Sequence, residues 1–241
     1  MTLHVERSQK LITLQNGEIF ECSKIDRVGM EFEGNFYTLP NFKGEFTGDG
    51  SVRGFGSNSE NVGEFVSNAV QPCEISEIVE KNHPSGSKGR SNFSCGGHVH
   101  VSLLSTADYK TLMTEKFYDH FMKKWIEFGH KNQINEGTAF WNRIEARRIG
   151  EYDPTYCQKG FKGIDQSKSI YYYVPDRYYF INYCFNVEKH SNRKKTLEFR
   201  IPPMFQKMEL QKKAIFEILK IVQEYLEDNP PQKPITLRLK I

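Results

Sequence analysis

Three short segments each carry a pair of strong ligands at i and i+2: Glu31 with Glu33, His98 with His100, and Glu198 with Arg200. In an extended strand that spacing puts both members of a pair on one sheet face. The residues between them, Phe32, Val99 and Phe199, are apolar and belong on the opposite, buried face. One polar face would then collect carboxylates, imidazoles and a guanidinium. Carboxylate oxygens with imidazole nitrogens suit a hard divalent cation, and a guanidinium takes a phosphate or carboxylate in a bidentate fork. The combination points to metal-assisted phosphoryl chemistry. Glu64, in Gly63-Glu64-Phe65-Val66-Ser67, adds a carboxylate between strand-forming residues. An unpaired charge is unfavourable to bury there, and a cation would neutralise it.

The elements that must position these groups can be read from period and punctuation. Residues 11–22 form two β-rich runs around Asn16-Gly17, a strong hairpin signal. Residues 28–38, 62–67 and 95–103 read as strands, and the glycine-rich 45–57 and the Gly/Ser-rich 85–91 read as loops and candidate lids. Helical spacing predicts a helix over 70–82 and a long one, capped by Ser105 or Thr106, running to about Lys131 with Leu112, Phe117, Phe121 and Trp125 facing the core. A further helical stretch lies near 138–148. Tyr178–Asn186 and Lys195–Ile201 read as neighbouring strands, and 206–227 as an amphipathic helix ended by the Pro-rich 230–234. Without βαβ alternation or an internal repeat, the expectation is an α+β fold: a mainly antiparallel sheet, helices on one face and ligands on the other. Residues 1–229 make a single catalytic domain and 230–241 a Pro-rich tail.

Composition narrows the function class. A net charge of +3, from 33 basic and 30 acidic residues, is too balanced to imply a nucleic-acid partner by itself. The basic runs Arg143, Arg147, Arg148 and Arg193-Lys194-Lys195 read as solvated faces. Five cysteines, without Cys-x-x-Cys spacing or a secretory leader, read as reduced thiols in a cytoplasm, the host's if the chain is viral. No apolar run approaches the roughly 20 residues that span a bilayer, and no lipidation motif is present. Cys95, beside Gly96, reads as packing rather than a nucleophile.

The ordered series Val28-Gly-Met-Glu31-Phe-Glu33, Gly48-Asp49-Gly-Ser51, Gly63-Glu64-Phe-Val-Ser, Cys95-Gly-Gly-His98-Val-His100-Val-Ser, Arg177-Tyr-Tyr-Phe-Ile-Asn182 and Thr196-Leu-Glu198-Phe-Arg200 resembles the amidoligase family. That family is related to glutamine synthetase and glutamate-cysteine ligase, and the match runs from residue 28 to 204. The resemblance implies a glutamine-synthetase-like catalytic sheet that binds ATP and two or three Mg2+ or Mn2+ ions and makes an amide or peptide bond. In that scheme ATP phosphorylates a substrate carboxylate to an acyl phosphate, which an amine attacks. Glu31, Glu33, Glu64, His98 and Glu198 would match the metal ligands, and Arg200 and Arg177 the groups that neutralise phosphate. His100 would orient a neighbouring carboxylate or contact nucleotide. Asp49 and Ser51 would hold a substrate, and Asn182 would have a structural or substrate-orienting role.

The sequence departs from the family in lacking a proline soon after Glu64, where it reads Val66-Ser67-Asn68-Ala69, and in carrying no placeable motif over 150–176. That stretch, with Tyr156, Lys159, Lys162, Asp165 and Tyr171–Tyr173, would set acceptor specificity. The carboxylate and amine substrates stay open: an amino acid, peptide, protein side chain, cell-wall precursor or modified nucleic acid. A homo-oligomer with active sites near subunit interfaces is compatible. Two other readings of the same residues remain, a metal-dependent hydrolase or nuclease that activates water, and a binding module that holds a nucleotide or peptide on the same sheet.

Overall fold

The computed structural model describes residues 10–14, 17–48, 52, 61–92, 94–145, 158–161, 179–184 and 196–231. A small hairpin leads, β1 (Leu11–Thr13) and β2 (Ile19–Glu21), with Thr13 opposite Ile19 and Gly17 at φ +80°, as the Asn-Gly signal predicts. The main sheet has eight strands. Its central strand β3 (Ile25–Phe36) lies between β5 (Asn61–Ser67) and β7 (Gly97–Leu103), and β4 (Gly44–Gly48) sits outside β5. On the other side β7 pairs with β10 (Thr196–Phe199), followed by β9 (Tyr179–Cys184) and β8 (Gln158–Phe161). The short β6 (Gly89–Arg90) pairs with the end of β3. All these pairs are antiparallel except β8 with β9. The α+β expectation with a mainly antiparallel sheet therefore holds.

Alternation along the strands decides which face is which. Val28, Met30 and Phe32 of β3, Val99 and Val101 of β7, and Leu197 and Phe199 of β10 are all buried, facing the helical layer. That layer comprises α1 (Ile75–Asn82), α2 (Thr106–Leu112), α3 (Glu115–Lys131), α4 (Ala139–Glu145) and α5 (Met208–Asp228). The aromatic residues of α3 recur at helical spacing, and their rings run from Phe117 through Phe121 and Trp125 to Phe128 at centroid separations of 6.2, 6.0 and 5.0 Å. Phe121 also meets Phe199 at 5.0 Å, so the helical layer grips the residue between Glu198 and Arg200. Removing such a ring by Phe→Ala typically costs about 3–5 kcal/mol. Ile215, Ile218, Leu219 and Val222 supply the fully buried stripe of α5.

Three sequence expectations need correction. The long helix is two: Ser105 Oγ accepts from Ala107 N at 3.1 Å to cap α2, and Thr114 Oγ1 accepts from Phe117 N at 3.2 Å to start α3. The second cap competes with continuation of the first helix. Residues 44–48, read as loop, form strand β4 with Gly44 opposite Ser67. A Cβ on Gly44 would stand 2.4 Å from the Val66 carbonyl oxygen, so the glycine permits the close strand approach that composition alone disguised. Residues 86–90, read as a loop and lid, are a 3-10 turn (Gly86–Lys88) followed by β6. Asn35 and Phe36 hold this segment through pairing with Arg90 and Gly89.

Candidate functional site

The register of five adjacent strands brings the ligand pairs together. Glu31 on β3 lies opposite His98 on β7, and Glu33 opposite Glu64 on β5. Glu198 on β10 lies opposite His100 on β7 and Asn182 on β9. Directly opposed side chains on one face stand about 4.5–5.5 Å apart at Cβ, close enough for their polar ends to meet.

They do meet. Glu31 uses its two oxygens separately, Oε2 on His98 Nδ1 and Oε1 on His100 Nε2, both at 2.9 Å. His98 is almost fully buried, with its Nε2 3.7 Å from Glu33 Oε1 and its Nδ1 3.8 Å from Glu198 Oε1. Glu198 is fixed on both oxygens: Arg200 donates to Oε1 at 2.6 Å and Asn182 Nδ2 to Oε2 at 3.1 Å. Glu33, also buried, accepts from the backbone N–H of Gly96. Next on this face, Asn35 is fully buried, with neither amide atom bonded among the described residues.

The electrostatics follow from the crowding. Burial opposes ionisation of Glu31, but the charge and hydrogen bond of His100, then those of His98, outweigh it and hold the carboxyl well below its ordinary 4.5. Burial likewise opposes protonation of His100, yet Glu31 and Glu198 raise it to about 9. The carboxyl of Glu198 is lowered: burial is again opposed, by Arg200 and then His100.

The pH dependence has a definite sign. His100 is raised above its ordinary 6.5, so the stability it contributes is complete below 6.5 and is lost as the pH climbs through about 9. Glu31 is lowered, so its contribution is present above 4.5 and is lost on acidification below that. Ring-proton NMR of metal-free protein should give His100 a midpoint of about 9. A midpoint near 6.5 would show that the ion pair with Glu31 does not persist in solution.

Three of these residues can hold a cation. Ligand atoms of Glu31, His100 and Glu198 lie within 4.8 Å of one another. Two carboxylates and one imidazole are a donor set for a hard or borderline divalent ion such as Mg2+ or Mn2+. His98 had the stronger claim from sequence. The structure puts it beneath the group, bonded to the Glu31 oxygen that His100 does not use.

No protein-family profile matches this chain, and no curated protein matches it significantly. The likeness to amidoligases therefore rests on the sequence motifs alone.

Of the remaining sequence candidates, Glu64 is half-buried rather than buried, accepting from Thr47 Oγ1 at 3.3 Å, so the argument from an enclosed charge applies better to Glu33 and Glu198. Asn182 is buried and orients Glu198. Asp49, Ser51 and Arg177 lie outside the described residues, as do Arg147, Arg148 and most of 150–176. Among the described residues no helix is long and apolar enough to cross a membrane.

Two positioning residues escaped the sequence reading. Arg143 was grouped with a solvated basic face, yet it is buried and donates to the carbonyls of Arg200 and Cys95 at 3.0 and 3.1 Å, and more weakly to those of Pro202 and Ser94. It ties the end of β10 to the segment entering β7. Gly96 is the second: a Cβ there would stand 2.2 Å from His98 Nε2. The Gly-Gly before His98 was a visible signal, but only the ring's position shows what it is for. Gly96→Ala should displace the His98 ring and weaken cation binding about tenfold or more, the usual effect of disturbing a ligand's partner. Calorimetric titration with Mn2+ would measure this, and unchanged affinity would mean that the ring need not lie where it does.

Proposed function

We propose that this protein is an ATP-dependent carboxylate-amine ligase that forms an amide bond. The observation that carries the reading is the convergence of Glu31, His100 and Glu198 within ligand distance of one another beside Arg200, which is held on Glu198. Joining an anionic acid to a triphosphate requires positive charge at the point of encounter, which a cation held by this acidic group, together with Arg200, would supply.

A divalent cation, when bound, would offset phosphate charge and polarise a phosphoryl oxygen, easing attack at phosphorus. Glu31, Glu198 and His100 would hold it. His98 fixes the orientation of Glu31, and Asn182 with Arg200 that of Glu198. Arg200 also sets a guanidinium beside the cation, where its planar fork suits phosphate oxygens. Glu33 and Glu64, opposite each other on β3 and β5, extend the acidic face and would serve further ions. Arg177, Asp49 and Ser51 keep the roles that the amidoligase resemblance gives them.

One feature also favours a metal-dependent hydrolase: a single group of carboxylate and imidazole donors is enough to activate water without a nucleotide. The two readings separate experimentally. Thermal unfolding should show little stabilisation by ATP alone and a shift of several degrees with ATP and Mg2+ or Mn2+ together. Ligand at 100 times its dissociation constant contributes about 2.7 kcal/mol. Phosphate release should then require both a carboxylate and an amine. Absence of a cation-dependent ATP shift would remove the ligase reading, and product formation without ATP would establish the hydrolase.

A further inference from the structure

A pocket of about 200 Å³ opens on the ligand face immediately beside the cation group, with Glu31 and His100 in its wall. The rest of the wall is mostly carbon, with Val66 and Ala69 on one side and Thr196 on the other. Two features of β3 shape it. Gly29, opposite His100, contributes no side chain. Neither packing nor backbone explains that glycine: it lies in regular strand outside the left-handed region, and a Cβ would sit 3.4 Å from His100 Cβ, an ordinary contact. A strand glycine with room for a side chain leaves space in which a ligand can come close to the backbone.

Arg27 is the second feature. The β3–β7 register shifts between Ile25 and Arg27, and Ser102 replaces the regular ladder there, accepting from Arg27 N at 3.0 Å and donating to its carbonyl at 3.3 Å. Bulges of this kind re-aim side chains beside active sites. The Arg27 side chain lines the pocket, and among the described residues no carboxylate lies within ion-pair distance of it.

We infer that this pocket binds a small organic acid of amino-acid size with two acidic groups, one held on Arg27, the aliphatic body against Val66 and Ala69, and the other directed toward the cation group. In the ligase reading, on which this assignment of the occupant rests, that anion is the acid to be joined. Arg27 and Gly29 then set which acid is accepted. The volume suits the smaller of the two anions such an enzyme handles, since sites for drug-sized ligands enclose about 300–1,000 Å³. Position agrees. Arg27 lies four residues from Glu31 along β3, about 13 Å at the usual strand rise, so an acid anchored there can extend toward the cation.

The test uses the full chain and ligand-observed NMR with butyrate, succinate, L-glutamate and butyl phosphate as probes, butyramide as the uncharged control and AMP as the nucleotide probe. At least one aliphatic anion should bind and butyramide should not. Arg27→Met and Gly29→Val should each weaken that anion at least tenfold, the first by removing charge and the second by filling the pocket with charge unchanged. AMP binding, measured with Mg2+ present because the nucleotide needs the cation, should change less than twofold. Thermal unfolding of each variant confirms folding. The carboxylates and butyl phosphate distinguish the two kinds of anionic group. Failure of every aliphatic anion to bind, or loss of AMP binding alone in the two variants, overturns the inference. The anion measurements need neither ATP turnover nor metal, so they fail or succeed separately from the cation-dependent ATP shift that tests the ligase reading.

Discussion

Glu31→Gln should abolish the cation-dependent shift in thermal unfolding and lower metal affinity by more than about 100-fold. Loss of even an outer partner of a metal ligand typically costs about 10–100-fold, and Glu31 is both a ligand and the partner of two histidines. Glutamine has nearly the same shape but a single acceptor oxygen, so one of the two imidazoles must face an amide NH2. The fold should survive with some loss of stability, because the substitution removes the counter-charge of His100 but leaves Phe32, Val99 and Phe199 buried on the opposite face. A second reading of the same variant is independent of metal: the His100 midpoint should fall from about 9 toward its ordinary 6.5 as its principal counter-charge disappears. Retention of both the cation shift and the high midpoint would mean that Glu31 is not the hub of the site.

The second large effect is on stability. Arg143→Met should lower the free energy of unfolding by about 1–3 kcal/mol, the usual cost of a buried carbonyl losing its donor, since the Cys95 and Pro202 carbonyls keep the N–H groups of Met204 and Gly97. For a chain of this length that corresponds to roughly 2–12 °C in Tm. The two strongest bonds of Arg143 go to the carbonyls of Arg200 and Cys95, the residues flanking Glu198–Phe199 and preceding the Gly96 N–H that holds Glu33. Loosening them should therefore reduce cation affinity at temperatures where the variant remains folded. Arg143→Lys should fall between, because one ammonium cannot reach the set of carbonyls that a fork spans. Scanning calorimetry with Mn2+ titration below the transition would measure both effects. Wild-type behaviour in both would leave the guanidinium without a positioning role.

Sequence reading reached the ligand face because its signal is local and periodic. In Glu31-Phe32-Glu33, His98-Val99-His100 and Glu198-Phe199-Arg200, one apolar residue between two polar ones states both the strand and its orientation. What it could not supply was the order of the strands, and with it the fact that Glu31 faces His98 while Glu198 faces His100. Arg143 was misjudged because a buried cation satisfied by carbonyls looks, in sequence, like any basic residue on an amphipathic helix. Strand β4 was hidden by composition, as Gly44-Glu-Phe-Thr-Gly48 lies at the edge of the sheet, where half-exposed positions need not alternate clearly. The pocket beside the cation group depends on a residue with no side chain, Gly29, whose meaning appears only once its neighbour across the sheet is known.

The strict alternation of the three site strands also governs which genetic changes the protein can survive. A deletion or insertion of one residue within β3, β7 or β10 would rotate everything beyond it to the other face. Glutamates and histidines would be driven among the aromatic rings while Phe32, Val99 or Phe199 turned toward the site. Such a lesion disrupts the ligand face and the core in one step, whereas point substitutions on the polar face leave the core in place. Length variation in descendants of this chain should therefore be confined to the segments between these strands.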